Sequence, residues 1–252
     1  KSDEAYRIGT GMGPVAAYLS IEEIIRVALE CGADAIHPGY GLLSENPDFV
    51  DACTENGITF IGPKAATMRQ LGDKASARQV AVDAGVPVVP ATDVLPDDMA
   101  EVRRMAAEVG YPFMLKASWG GGGRGMRRIM SEDELEDMVL EGHREAEAAF
   151  GNGAGFLERL VQRARHVEVQ ILGDSHGDIY HLWERDCSVQ RRNQKVVERA
   201  PAPYLSDEQR ETLCALGRKI CAHVGYECAG TVEFLMDMDT EEFFFIEVNP
   251  RV

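Results

Sequence analysis

The N-terminal part of the chain alternates between strand-like and helical patterns of hydrophobic positions. A capping-box pattern at Ser20 opens one amphipathic helix. Short apolar runs at 33–37 and 58–61 flank a second helical pattern at 47–56, which is the order of a βαβ unit. We therefore expect residues 1–72 to form an incomplete doubly wound, Rossmann-like domain whose opening strand lies outside the sequence.

The middle of the chain predicts a smaller α/β lobe. Two helical patterns precede two strand-like runs, 113–117 and 125–129, which are separated by consecutive glycines. Ser131 with Glu134 forms another capping box, which predicts a long helix after the second strand. We expect residues from about 88 to 160 to be a mobile lid lobe within a domain that spans 73–252.

Four strand patterns dominate the last third of the chain, at 166–172, 179–185, 230–236 and 243–249. The polar, proline-containing segment 190–202 predicts an irregular loop, because proline and the residue before it disfavour regular structure. A capping box at Ser206 predicts a helix after this loop. The fold class is therefore α/β.

The amino-acid composition limits the classes of molecule that the protein is expected to bind. The chain has 252 residues, 45% of them hydrophobic, and 26 Lys and Arg against 42 Asp and Glu give a formal charge of −16. This charge opposes binding to nucleic acid or to an anionic membrane. No signal-peptide pattern or long apolar run occurs, so we expect a cytoplasmic protein, or one of an organelle matrix if a transit peptide has been removed. Six cysteines show neither zinc-ligand nor disulfide spacing.

A run of four glycines, residues 120–123, lies between two strand-like segments. Such a loop can fold over phosphates and donate backbone N–H groups. It does not open a helix and lacks G-K-[ST], so it is neither a Rossmann fingerprint nor a P-loop. Lys116 before it and Arg124 after it can meet anionic oxygens. The alternative is a hairpin tip without a ligand.

The last two predicted strands can bring acidic side chains together. Pairing through the polar turn at 238–242 sets Glu233 opposite Glu247, with Asn249 on the same face. Directly opposed like charges destabilise a sheet, whereas Mg²⁺ or Mn²⁺ accepts this set of oxygen ligands. The alternative is a pair of solvated carboxylates.

Segment 184–195 concentrates cations in an acidic protein: Arg185, Arg191, Arg192 and Lys195. By itself, this pattern favours a solvated basic loop or a set of surface ion pairs over a binding site.

Six segments together resemble the ATP-grasp fold of the biotin carboxylases, and the resemblance runs from end to end: 35–46 (AIHPGYGLLSEN), 72–74 (GDK), 116–128, 165–168 (RHVE), 184–203 and 245–251 (FIEVNPR). The sequence looks more like pyruvate carboxylases than like acetyl-CoA or propionyl-CoA carboxylases. The resemblance implies an ATP-grasp domain preceded by the incomplete N-terminal domain.

The resemblance also implies a role for individual residues. Contacts to ATP are implied for Lys74, Lys116, Gly122, Gly123, Glu158, His166 and Asn193, although some family members have His at the last position. The metal ligands would be Glu233, Glu247 and Asn249. Bicarbonate would be bound by Lys195, with Arg251 beside bicarbonate and biotin as a second active-site cation.

The implied activity is ATP-dependent carboxylation of biotin by bicarbonate, as the first half-reaction in the conversion of pyruvate to oxaloacetate. Biotin would be carried on a separate domain, and the parent would be a homo-oligomer. In the family, the bicarbonate base and the biotin-binding arginine follow the position of Val252, so we expect a chain truncated at both ends and inactive alone. Three alternatives remain: the biotin carboxylase part of an acetyl-CoA or propionyl-CoA carboxylase, a different ATP-grasp ligase, and a noncatalytic nucleotide-binding module.

Overall fold

The computed structural model describes residues 2–72, 74–117, 126–192 and 194–252, without the side chains of residues 74, 75, 149 and 150. The chain forms two compact units, one made of residues up to 88 together with 165–252, the other of Val89–Ala164. Helices and sheets occur in both, which confirms the predicted α/β class. The smaller unit spans nearly the range predicted for the lid lobe, whose mobility stays a prediction, as does the division into domains.

The helices in chain order are α1 Pro14–Tyr18, α2 Ile21–Glu30, α3 Pro47–Glu55, α4 Ala65–Gly72, α5 Lys74–Asp83, α6 Met99–Val109, α7 Glu132–Phe150 and α8 Asp207–His223. The strands are β1 Ala35–Ile36, β2 Thr59–Phe60, β3 Phe113–Ala117, β4 Arg127–Ile129, β5 Gly155–Arg159, β6 Ala164–Gly173, β7 Ile179–Arg191, β8 Gln194–Arg199, β9 Cys228–Asp237 and β10 Phe243–Asn249.

The N-terminal segment of the larger unit contains the predicted βαβ arrangement. Strands β1 and β2 pair in parallel, and α3 lies between them in the chain. Only half of the predicted capping box forms at the start of α2: the Ser20 hydroxyl accepts from the Glu23 N–H, whereas the Glu23 carboxylate accepts from Gly9 N–H at 3.2 Å. The Asn46 side chain caps α3. Buried apolar residues of α2, α3 and the loop before α3, among them Ile25 and Phe49, form the core of this segment.

A five-stranded sheet with the order β10-β9-β6-β7-β8 forms the rest of the larger unit. Alternate residues of β6, such as Val167 and Val169, are fully buried in the main hydrophobic core. Helix α8 contributes Leu213 and Ile220 to this core. Both halves of its predicted capping box are present, because the side chains of Ser206 and Gln209 each accept from the other residue's backbone N–H.

The prediction of an irregular loop over 190–202 is wrong for residues 190–191 and 194–199, which belong to strands. Strands β7 and β8 form an antiparallel hairpin in which Gln190 pairs with Lys195 and Val189 with Val197. The polar residues are compatible with a strand because β8 lies at the edge of the sheet and is mostly exposed. The basic segment therefore runs along the end of β7 and returns along β8.

The smaller unit consists of the antiparallel sheet β4-β3-β5 with α6 and α7. Its core is apolar throughout and includes Phe113, Ile129 and Leu157. The capping box predicted at the start of α7 does not form. Ser131 makes no side-chain cap hydrogen bond, and the carboxylate of Glu134 instead accepts from Met130 N–H at 2.8 Å. The helix still begins at the predicted place, because its first turn is acidic and complements the helix dipole.

Gly173 at the end of β6 tests the packing of the main core. A Cβ atom at this position would lie 2.1 Å from the backbone oxygen of Tyr226, which is 1% exposed. Because backbone has to move, we expect Gly173→Ala to lower the free energy of unfolding by about 1–3 kcal/mol in urea titrations. Gly13→Ala is the control, since no atom lies within 4 Å of its Cβ position. Equal stabilities of the two variants would contradict this packing.

Candidate functional site

The predicted pair of acidic residues lies on the last two strands of the larger unit's sheet, β9 and β10. Glu233 on β9 is directly opposite Glu247 on β10, next to a bulge in β10. The side-chain amide of Asn249 donates to Glu233 Oε1 at 2.7 Å. The structure therefore brings together the three residues that the sequence placed on one face.

Lys195 connects this acidic pair with a second buried carboxylate. Its ammonium group contacts Glu168 on β6 and lies 2.7 Å from Glu233 Oε1. The side chains of Glu168 and Glu233 are only 3% and 6% exposed, whereas Lys195 is 26% exposed. The ammonium group therefore bridges two carboxylates that the fold has removed from water.

The pKa values of Glu233 and Lys195 reflect this arrangement. Burial raises the pKa of Glu233, but hydrogen bonds from His166 and Lys195 outweigh it and lower the pKa from 4.5 to about 2. Burial lowers the pKa of Lys195, and its bonds to Glu168 and Glu233 raise the pKa above the ordinary value of 10.5. Both groups are therefore charged at neutral pH.

The ring of His166 has a defined orientation. Gln190 Nε2 lies 2.9 Å from the backbone oxygen of Cys187 and 2.9 Å from His166 Nδ1. Because a carbonyl oxygen can only accept, the amide group donates, and Nδ1 must accept as well. The hydrogen of the neutral ring is then on Nε2, which lies 2.7 Å from Glu233 Oε2. This geometry orients the histidine with Nε2–H towards the carboxylate.

Sequence reasoning assigned no role to Glu168, Gln190 or Arg185. The Arg185 guanidinium pairs with Glu168 and also donates to Gln170 Oε1 at 3.0 Å. The segments 165–168 and 184–203 carried the family resemblance, but only the sheet register shows that these side chains meet. The signal that could have found Glu168 is a charged residue in an otherwise buried strand.

Arg251 extends the cluster at the C-terminal end of β10. Its Nη2 donates to Asn249 Oδ1 at 3.0 Å, and Asn249 in turn donates to Glu233. A cleft of about 180 Å³ lies beside these residues and is lined by Glu45, Leu71, Gly72, Ala77, Glu247, Val248, Asn249 and Pro250. The site therefore has room for a small ligand next to two carboxylates, an amide and a cation.

Two further predicted residues meet within the smaller unit. The Lys116 ammonium on β3 pairs with the carboxylate of Glu158 on β5. Lys116 also lines a cleft of about 290 Å³ together with His143 and Asp97. Lys116 and Glu158 are only partly exposed, at 32% and 16%, so this cation is held in place.

Four predicted ATP contacts cannot be located in the structure. Gly122, Gly123 and Asn193 lie outside the described residues, and of Lys74 only the backbone, at the start of α5, is described. Their roles stay predictions.

The acidic pair is suited to a divalent cation. Glu233 and Glu247 are paired in register, and like charges in this position destabilise a sheet unless cations compensate them, as Lys195 already does for Glu233. Carboxylate oxygens and the amide oxygen of Asn249 are the hard ligands that Mg²⁺ and Mn²⁺ prefer. The donor set therefore fits such an ion.

A second group of possible ligands does not fit a metal as well. One ligand atom each from Glu168, Cys187 and Glu198 lies within 4.8 Å of the others. Burial, and then the charge of Glu168, raises the pKa of the Cys187 thiol to about 12. A protonated thiol is a poor ligand, and Lys195 and Arg185 already neutralise Glu168. Cys187 therefore stays a structural residue.

In the described part of the chain, no helix combines the length and the apolarity needed to cross a bilayer.

Two family models together match almost the whole chain. Residues 73–252 match the ATP-binding domain of the carbamoyl-phosphate synthase L chain, and residues 1–68 match the N-terminal domain of biotin carboxylase. Mitochondrial pyruvate carboxylase of Mus musculus is 53% identical over 252 residues, which are 100% of this chain and 21% of that protein. The chain thus spans about a fifth of the length of this relative.

Solved structures support the same fold. The structure of Rhizobium etli pyruvate carboxylase with the allosteric activator acetyl coenzyme A is 64% identical, with a TM-score of 0.83, and the match covers 100% of this chain and 22% of that one. The biotin carboxylase domain of Hydrogenobacter thermophilus 2-oxoglutarate carboxylase, in complex with MgADP, ADP and bicarbonate, is 49% identical with a TM-score of 0.84. That match covers 100% of this chain and 55% of the domain. The predicted ATP-grasp fold is confirmed.

The low pKa of Glu233 predicts a loss of stability in acid. A carboxylate with a depressed pKa stabilises the fold fully above its unfolded value of 4.5, and this contribution disappears as the pH falls towards 2. We expect Glu233→Gln to reduce the free energy of unfolding at neutral pH by up to roughly 3 kcal/mol. The deficit should shrink between about pH 5 and about pH 2.

Urea titrations across this pH range measure the effect, with Glu22→Gln as the control because Glu22 is exposed. A deficit for Glu233→Gln that is constant with pH would show that the charge of Glu233 is not the source of the effect.

Proposed function

The chain belongs to the family of ATP-binding domains found in the carbamoyl-phosphate synthase L chain and in biotin carboxylases, and we propose that it supplies the ATP-dependent carboxylation of biotin in a pyruvate carboxylase. The proposal concerns a longer protein, because the chain spans 21% of its mouse relative. It includes the substrates ATP and bicarbonate, a biotin-carrying domain and a homo-oligomeric parent.

The observation that carries the proposal is the position of Lys195. The ammonium group lies between Glu168 and Glu233 on a sheet face that also bears His166 and, through Asn249, Arg251. Bicarbonate is a small anion that needs fixed cations for binding. We assign bicarbonate binding to Lys195 and Arg251, which meets the requirement that an acidic protein offer a local cationic site.

Nucleotide binding is assigned to the remaining predicted residues. Lys74 and Lys116 would meet the phosphates, Gly122 and Gly123 would belong to the lid loop, and Asn193 would contact the nucleotide. Glu158 and His166 would contact the adenine and ribose end. The pairing of Lys116 with Glu158 supports this assignment, because it holds a lysine and a ribose-binding candidate side by side.

Glu233, Glu247 and Asn249 would hold Mg²⁺ or Mn²⁺. When bound, the ion supplies positive charge that screens the phosphates of ATP. The related domain of 2-oxoglutarate carboxylase has been solved with MgADP and bicarbonate, which supports the choice of both ligands.

In the proposed reaction an oxygen of bicarbonate attacks the γ-phosphorus of ATP, and the bond from this phosphorus to the ADP oxygen breaks. The product is carboxyphosphate, which releases CO₂ and phosphate, and the ureido nitrogen of biotin takes up the CO₂ and passes its proton to the released phosphate. Lys195 and Arg251 would hold bicarbonate and stabilise the charge that develops on its oxygens. A closed lid would keep water from the unstable intermediate.

The identity of the carboxyl acceptor rests on similarity alone. Pyruvate is favoured because the mouse pyruvate carboxylase is 53% identical and structures of the Rhizobium etli enzyme are 53% and 64% identical to this chain, against 49% for the 2-oxoglutarate carboxylase domain. The similarity to carboxylases along the whole chain disfavours the alternatives of a noncatalytic module and of another ATP-grasp ligase.

Labelled bicarbonate tests the proposal. A polypeptide that extends this chain to the length of a biotin carboxylase domain should incorporate ¹⁴C into free biotin in the presence of MgATP, whereas the 252-residue chain alone should not. Lys195→Gln in the extended protein should reduce the rate by about 100-fold or more, because a cation that stabilises developing charge is lost.

Lys219→Gln serves as the control, since this exposed lysine donates to the backbone oxygen of Gly85 and belongs to no proposed site. Absence of ATP-dependent labelling in the extended protein would refute the proposed function. Full activity of Lys195→Gln would refute the role of this residue.

A further inference from the structure

The segment 37–46 (HPGYGLLSEN) contributes to the family resemblance but has no role in the function proposed above. It follows β1 and ends in a 3₁₀ helix, Leu42–Glu45. The ring of His37 accepts from Gly39 N–H at 3.0 Å, and Gly39 has a φ of 75°, which favours glycine. The chain therefore makes a defined turn just before Glu45.

The backbone of Glu45 is fixed on both sides. The preceding residues Leu43 and Ser44 are buried, at 6% and 2% exposure. The following residue, Asn46, caps α3 by accepting from the N–H groups of Asp48 at 2.9 Å and Phe49 at 3.1 Å. Neither neighbour can move without loss of a packed or hydrogen-bonded contact, so the Cα atom of Glu45 is held in a fixed position.

The carboxylate of Glu45 pairs with Arg251. Glu45 Oε1 lies 2.9 Å from Arg251 Nε, and Asn249 Oδ1 accepts from Nη2 of the same guanidinium at 3.0 Å. Two different nitrogens are thus held by two residues, which fixes the plane of the group. Within the part of the chain that the structure describes, Nη1 makes no hydrogen bond.

This ion pair contributes little to stability. The side chains of Arg251 and Glu45 are 34% and 45% exposed, and ion pairs at such positions are worth about 0–1 kcal/mol. Orientation is a different matter, because a small misplacement of a binding group can cost about 100-fold in rate. Glu45 also lines the cleft of about 180 Å³ beside Glu247 and Asn249, so its carboxylate lies at the site.

We propose that Glu45 is a positioning residue, which orients the guanidinium of Arg251 so that Nη1 is presented to bicarbonate. The inference rests on the proposed role of Arg251 in bicarbonate binding. It gives segment 37–46 a function, namely to carry one carboxylate from the N-terminal part of the larger unit to an arginine on its central sheet.

Steady-state kinetics of Glu45→Gln in the extended protein test this role. We expect the KM for bicarbonate to rise by about 10- to 100-fold, with the KM for ATP and the melting temperature unchanged, because only the orientation of the Arg251 guanidinium is lost. Glu45→Asp should recover part of the loss, since it restores the charge but not the reach.

A second ion pair of the same unit provides the matched control. Lys64 pairs with Glu227 at 2.5 Å and links the same two parts of the chain, but neither residue lines the cleft. Glu227→Gln should leave both KM values unchanged. If Glu45→Gln behaves like Glu227→Gln, or if it raises both KM values and lowers the melting temperature, the inference is overturned.

The experiments distinguish a failure of the proposed function from a failure of the role of Glu45. An unmodified extended protein without biotin carboxylation would refute that function and, with it, the role of Glu45. An active unmodified protein whose KM for bicarbonate does not respond to Glu45→Gln would overturn the role of Glu45 alone.

Discussion

The larger unit depends on the compensation of two buried carboxylates. Glu168 and Glu233 are almost completely removed from water, and an unpaired charge at such a depth costs several kcal/mol. Lys195 lies between them, and Arg185, His166 and Asn249 are further partners. The buried acids are compensated by side chains that reach them from other strands of the same sheet.

The β7–β8 hairpin is the element that makes this compensation possible. Lys195 belongs to the edge strand β8, and the pairing of Gln190 with Lys195 sets how far the ammonium group reaches back over β6 and β9. An irregular loop at the same place would leave the lysine free to extend into solvent. Regular structure in a highly charged segment is thus a requirement of the site.

Local patterns predicted much of this molecule. The helix caps at Ser20 and Ser206 and the register of Glu233 against Glu247 follow from short-range rules, and the structure agrees with them. The hairpin was missed because its stability comes from pairing with the rest of the sheet, which no local propensity reports. The Glu134 carboxylate accepts from the N–H of Met130 and not, as the capping box predicted, from that of Ser131. A flexible side chain has more than one acceptable donor within reach, and a local pattern does not decide between them.

The composition of the site was harder to foresee than its location. Acidic residues on β9 and β10 gave a signal in the sequence because they are close along the chain. The contacts of Glu168 with Lys195 and of Gln190 with His166 gave no such signal. Each of these contacts forms only through long-range strand pairing. The family resemblance supplied Lys195 and Arg251, and it could do so because it rests on whole segments, not on a single pattern.

The acidic surroundings of the cations have a structural role in a chain with a charge of −16. Each cation, Lys195 and Arg251 included, is already held by a carboxylate or an amide. Folding has already oriented these groups, so under the proposed function an incoming anion would meet cations in fixed positions and would not have to order a flexible side chain. The acidic residues around the cations therefore keep the cations fixed in place, which is the order that the proposed binding of a small anion of defined shape requires.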